Sequence, residues 1–140
     1  MKLALRKTAA TDATLLDKIG TWLIKARLMT RYPHAGIVIG ETLYHATAKR
    51  GLHASEYTPE RWTLIDVGDA LDGFALDLFA YAEGAKYDWF SLLAFVGLKA
   101  RDSMRYYCYE WAYHCMTGEH PTQRVTPETL LAVALKGPQK

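Results

Sequence analysis

Apolar positions recur first at a helical spacing and then alternate. Leu15, Leu16, Ile19, Trp22, Leu23 and Ala26 share one helical face, which predicts a helix over about 13–29 with Asp12 as N-cap and Gly20 weakening its middle. Pro33 ends that pattern. His34 to Gly40 is short and β-branched and reads as a strand, with Glu41 to Lys49 as its hairpin partner. Residues 61–67 read as a third strand, and the stretch between Gly51 and Pro59 as a loop or short edge strand. After Gly68 the period changes again: Leu71, Phe74, Ala75, Leu78, Phe79 and Ala82 fit one helix, capped by Asp69 and closed by Gly84. Asp88 opens a further helix through Trp89, Leu92, Leu93 and Val96, and another runs from Tyr107 to Thr117, ended by Gly118. Thr126-Pro127-Glu128 carries a helix-start signature, and that last helix stops near Gly137. A helix, a small antiparallel sheet and then helices make an α+β domain.

Half of the 140 residues are apolar and 23% are charged, so the chain can bury a core as a single domain over residues 1–140. A net charge of +2 without a basic run gives no electrostatic reason for nucleic acid as a partner. The apolar run Leu3-Ala4-Leu5 is too short for a signal peptide, and no stretch is long enough to span a membrane, so a cytoplasmic location is expected. Cys108 and Cys115, seven residues apart on one helix, stand roughly 10 Å apart along its axis, beyond the ~7 Å reach of a disulfide. Two thiols that cannot bridge suit a reducing compartment.

The histidines and cysteines carry the candidate chemistry. A two-residue turn at Gly40-Glu41, with glycine first as a type II′ turn prefers, pairs Ile39 with Thr42, Val38 with Leu43 and Gly36 with His45. His34, Gly36, Val38, Leu43, His45 and Thr47 then share one face, so one histidine can orient the other. Gly36 leaves room for the imidazole of His45. A three-residue loop would instead set the two histidines on opposite faces. Cys108 falls at a helix start, where the dipole favours thiolate and backbone N–H groups can hold an oxyanion. The plainer reading of a cysteine in an aromatic-rich helix is a small buried residue. Cys115 shares a helical face with Trp111 and Ala112 and reads as core, and His53 reads as an exposed loop residue. His114, Cys115 and His120 match no zinc-binding spacing.

Five segments together resemble the circularly permuted papain-like hydrolases of the YiiX type, within the NlpC-like cysteine peptidase superfamily. They are Leu23 to Thr30 leading into Tyr32-Pro33-His34-Ala35-Gly36-Ile37-Val38-Ile39, then His45, Gly84-Ala85-Lys86-Tyr87-Asp88, Tyr107-Cys108-Tyr109-Glu110-Trp111, and Thr126-Pro127-Glu128-Thr129-Leu130. The similarity covers about residues 20–135, with His before Cys as the permuted order requires. Pro33 and Tyr109 stand where the family carries serine. The two histidines also resemble the lecithin:retinol acyltransferase branch, whose Asn-Cys-Glu-His motif is absent. The resemblance implies a permuted papain-like fold, with the Cys108 helix packed on the hairpin face that carries His34. It implies Cys108 as nucleophile, His34 as base and His45 as the residue orienting it, in a solvent-open cleft with Tyr107 and Tyr109 at its rim as substrate-binding residues. Glu110 would be a first-turn acid or a contact to a neighbouring loop. No metal or organic cofactor is called for. The expected activity is cleavage of an amide in a peptidoglycan-type or other small peptide through an acyl-enzyme. A lipid acyltransferase or thioesterase with the same dyad is the alternative, followed by a catalytically silent binding or structural protein.

Overall fold

A computed structural model describes residues 1–6, 18, 31–47, 49–86 and 106–136. The helices expected over 13–29 (Lys18 apart) and after Asp88 lie outside the described residues. Five strands form one antiparallel sheet: β1 (Lys2–Arg6), β2 (His34–Ile39), β3 (Thr42–Thr47), β4 (Gly51–Glu56) and β5 (Trp62–Asp66), in the spatial order β4-β3-β2-β1-β5. A 3-10 turn, Pro59–Arg61, leads into β5. Among the described residues three helices follow: α1 (Asp72–Ala82), α2 (Cys108–Thr117) and α3 (Pro127–Lys136). The chain is therefore α+β, as its periodicity predicts.

The hairpin forms with the expected register, Ile39 opposite Thr42 and Val38 opposite Leu43, and Gly40 turns the chain at φ +61°. Of the two readings of the stretch from Gly51, the edge strand forms: β4 is the outermost strand, paired along β3 from Thr42–Glu56 to Thr47–Gly51. Its outer edge is partly covered, since Leu52 N–H donates to the Ala85 carbonyl and Gly84 N–H to the Leu52 carbonyl, both at 2.9 Å.

β1 is the element that the sequence pattern does not announce. It is inserted between β2 and β5, with Leu3 opposite Ile37 on one side and Ile65 on the other. Leu3, Ala4 and Leu5 are all fully buried. A Leu-Ala-Leu run bounded by charges has weak strand propensity, and two neighbours brought from distant sequence make it a strand.

Period-two alternation separates two cores. Leu3, Leu5, Ala35, Ile37, Ala46 and Leu52 face the helices and join Phe79, Trp111, Cys115 and Leu130 in the larger one. Ala4, Val38 and Leu43 project from the other face, where Tyr57, Trp62 and Leu64 pack on them. Among the described helices α2 packs against both others, with Trp111 fully buried and its indole N–H donating to the Tyr44 carbonyl at 3.1 Å. Gly118, left-handed at φ +74°, ends α2 by donating its N–H to the His114 carbonyl.

Candidate active site

The register carries His34 and His45 onto one face, because both are an even number of residues from the paired Val38 and Leu43. Continued by two residues, the pairing sets Gly36 opposite His45. A β-carbon on Gly36 would lie 3.0 Å from the His45 β-carbon, 3.0 Å from the Tyr44 carbonyl oxygen and 2.9 Å from Leu43 Cδ1. Gly36 thus lets the two strands approach closely enough for the imidazoles to meet.

They meet in a hydrogen bond: His34 Nε2 and His45 Nδ1 are 2.8 Å apart. The second nitrogen of His45, Nε2, is 3.1 Å from Ser55 Oγ on β4. The three residues form one chain across three strands. Its walls are aromatic and cationic. Trp62 lies against both rings, with centroids 5.7 Å from His34 and 6.1 Å from His45, and the Arg6 guanidinium sits 5.6 Å from the Trp62 ring centre. His53, directly opposite His45 in the β3–β4 pair, brings its ring to 4.5 Å. Its Nδ1 donates to the Gly51 carbonyl at 2.9 Å. His53 is therefore a partly buried strand residue and not the exposed loop residue expected.

The environment holds these rings neutral. Burial first, then the Arg6 charge and His53, push His34 down to about 3. Burial, reinforced by His34 and His53, holds His45 well below the ordinary histidine value. His53 is also lowered by burial, against the raising effect of its bond to Gly51.

Cys108 begins α2. Tyr107, extended at the N-cap, gives no side-chain cap, and the helix's first bond runs from Trp111 N–H to the Tyr107 carbonyl at 3.1 Å. The positive end of the helix dipole therefore falls at Cys108. The expectation that this helix packs on the face carrying His34 is corrected. α2 takes the opposite face, with Ala35 and Ile37, because that face is apolar from β1 through β4 while the histidine face is not. The two layers are tied at the start of β2, where the Tyr109 hydroxyl donates to the Tyr32 carbonyl. The structure thus joins His34 to His45 directly and sets Cys108 in the helix layer.

The open cleft expected at Cys108 is corrected as well. Cys108 is 0% exposed within the large core. Tyr107 and Tyr109, expected at a rim, are buried interior anchors. The Tyr107 hydroxyl donates to the Val125 carbonyl and accepts from the Val125 N–H, each at 3.0 Å. Burial raises the pKa of both phenols. Glu110, two residues after Cys108, is buried too. Cys115 is buried as expected, which raises its thiol pKa well above the ordinary value.

Ser55, Trp62 and Arg6 are the members of the histidine cluster that sequence reasoning passes over. The signal for Ser55 was available: Leu52 and Ala54 alternate with His53 and Ser55, which puts the latter pair on the His45 face once the stretch is read as a strand. Among the described residues, no group of three or more His, Cys, Asp or Glu side chains could hold a metal ion, and no helix is long and apolar enough to cross a membrane. Comparison with family models, curated proteins and solved structures finds no match to this chain.

Proposed function

We propose that the protein is a thiol hydrolase that cleaves an amide through an acyl-enzyme on Cys108, with His34 as base and His45 orienting it. The carrying observation is the 2.8 Å bond from His34 Nε2 to His45 Nδ1. It engages Nε2 of His34, and in the tautomer where Nε2 is the donor the lone pair that takes a proton lies on Nδ1. The step proposed requires the Cys108 thiol, set in the helix layer, to reach His34 Nδ1 around the start of β2, where the Tyr109 hydroxyl ties the two layers; a sulfur lone pair then forms the C–S bond as the Cys108 proton passes to His34 Nδ1. The tetrahedral intermediate then collapses, and His34 returns that proton to the leaving amine. The α2 dipole at Cys108 supports the thiolate and the oxyanion. The similarity to permuted papain-like hydrolases supports a peptidoglycan-type or other small peptide as substrate.

A second reading, a catalytically silent binding or structural protein, is favoured by the complete burial of Cys108. One experiment separates the two. The protein is incubated with p-nitrophenyl acetate and, separately, with small peptide amides, and its intact mass is measured. The hydrolase reading expects one acyl group on Cys108, absent in Cys108→Ala and formed more slowly in His34→Ala. An unmodified mass with every donor supports the silent fold.

A further inference from the structure

The chain of two hydrogen bonds does more than hold rings in place, because each bond constrains where the protons sit. A neutral imidazole has one N–H and one lone pair. If His45 donates from Nε2, its Nδ1 is the acceptor, and His34 must donate from Nε2 into it. The lone pair of His34 then lies on Nδ1. If Ser55 donates instead, every role reverses and His34 Nδ1 carries the proton. In that state the one lone pair of His34 is on Nε2, committed to His45, and Nδ1 cannot accept a proton.

We propose that Ser55 is a positioning residue, its Oγ accepting a hydrogen bond from His45 Nε2 and so setting both histidines in the tautomers that leave the His34 Nδ1 lone pair available. The proposal rests on the reading of His34 as the base. It stands on the 3.1 Å contact of Ser55 Oγ with His45 Nε2 and the 2.8 Å contact of His45 Nδ1 with His34 Nε2. β4 is positioned for this role. Six consecutive pairs to β3 hold Ser55 opposite Leu43, one step diagonally from His45. Burial strengthens the constraint, since water does not readily replace a lost partner beside a ring that is 8% exposed. The neutral state of both rings keeps the tautomer choice in force at neutral pH.

His53 supplies an internal control. Its Nδ1–H is committed to the Gly51 carbonyl, so its tautomer is set by backbone and does not depend on Ser55.

The test uses the full chain with ¹⁵N-labelled histidine, read by long-range ¹H–¹⁵N correlation at neutral pH. In the wild type, His45 and His34 should each show a protonated Nε2 and an unprotonated Nδ1. Ser55→Ala should convert His45 and His34 to mixtures of tautomers while His53 keeps its own. Ser55→Thr, which retains the hydroxyl, should preserve the wild-type pattern and show that the effect is not a folding defect. Acylation of Cys108 by p-nitrophenyl acetate should slow by about tenfold or more in Ser55→Ala, up to the ~10²–10⁴-fold that a positioned general base contributes in full. An unprotonated His45 Nε2 in the wild type overturns the proposal, as does a Ser55→Ala variant with unchanged tautomers. The expected tautomers without any acylation would defeat the hydrolase reading and leave the orienting role of Ser55 standing. Normal acylation with unchanged tautomers in Ser55→Ala would do the reverse.

Discussion

At the level of single residues, Gly36 sets the steric constraint beside the histidine pair. Its missing side chain lets β2 and β3 approach where the two histidines bond. In Gly36→Ala the new methyl would press on Leu43, the His45 β-carbon and the Tyr44 carbonyl at about 3 Å, and the carbonyl belongs to backbone that cannot rotate away. Overpacking of this kind costs about 1–3 kcal/mol. Urea unfolding should show that loss, and the His34 and His45 ring resonances should shift while those of His114 do not. The two cysteines make a second test at this scale. Burial disfavours the Cys115 thiolate, so iodoacetamide at pH 7–8 should leave Cys115 unmodified in the folded protein and label it only when denaturant unfolds the chain. Native labelling of Cys115 at the rate of an exposed thiol would contradict its place in the core.

Among the elements, β4 is the one whose placement decides most about the histidine cluster, since it brings both His53 and Ser55. Gly51 starts it at φ +68°, a conformation that side chains rarely adopt, and a β-carbon there would sit 2.2 Å from the Ala85 carbonyl oxygen. The strand and the residues after α1 are bonded through Leu52, so that carbonyl cannot retreat without breaking a hydrogen bond. Gly51→Ala should therefore destabilise by more than about 2 kcal/mol, combining left-handed strain with the clash. Thermal unfolding measures it, and an unchanged Tm would mean that β4 does not pack against residues 84–86 as described. α2 illustrates the other way an element is placed. Its burial around Trp111 and its anchors at Tyr32, Tyr44 and Val125 commit it to the apolar face of the sheet.

For the molecule as a whole, buried neutral histidines link stability to pH. Unfolded histidines titrate near 6.5. In the folded protein His34 is held down to about 3 and His114 to about 4, and His45 is held well below its ordinary value. Between the unfolded and folded values the unfolded chain binds more protons, so stability is full above about pH 7 and falls as pH drops through 6.5. At pH 5 each fully buried imidazole accounts for up to about 2 kcal/mol of that loss. The urea midpoint should fall from pH 7 to pH 5, and less steeply in His114→Gln. A flat profile would show that the rings are not held neutral by burial.

The parts of this protein that were legible in its sequence are those that depend on short-range pattern. The Gly40-Glu41 turn, the period-two faces of the hairpin and the caps at Gly118 and Pro127 involve residues within a few positions of one another. Local sterics and burial preference determine them, and they already place His34 beside His45. β1 was not legible, because five residues of weak propensity become a strand only through partners some thirty and sixty positions away. Nor was the layer in which Cys108 lies. A helix with a wide apolar surface can pack on either side of a sheet, and which side it takes depends on which face is the more completely apolar after all five strands have assembled. Tertiary structure alone decided that α2 covers the Ile37 face, that Tyr107 and Tyr109 turn inward, and that Ser55 reaches His45, since each outcome is a competition between surfaces that exist only once distant strands are paired.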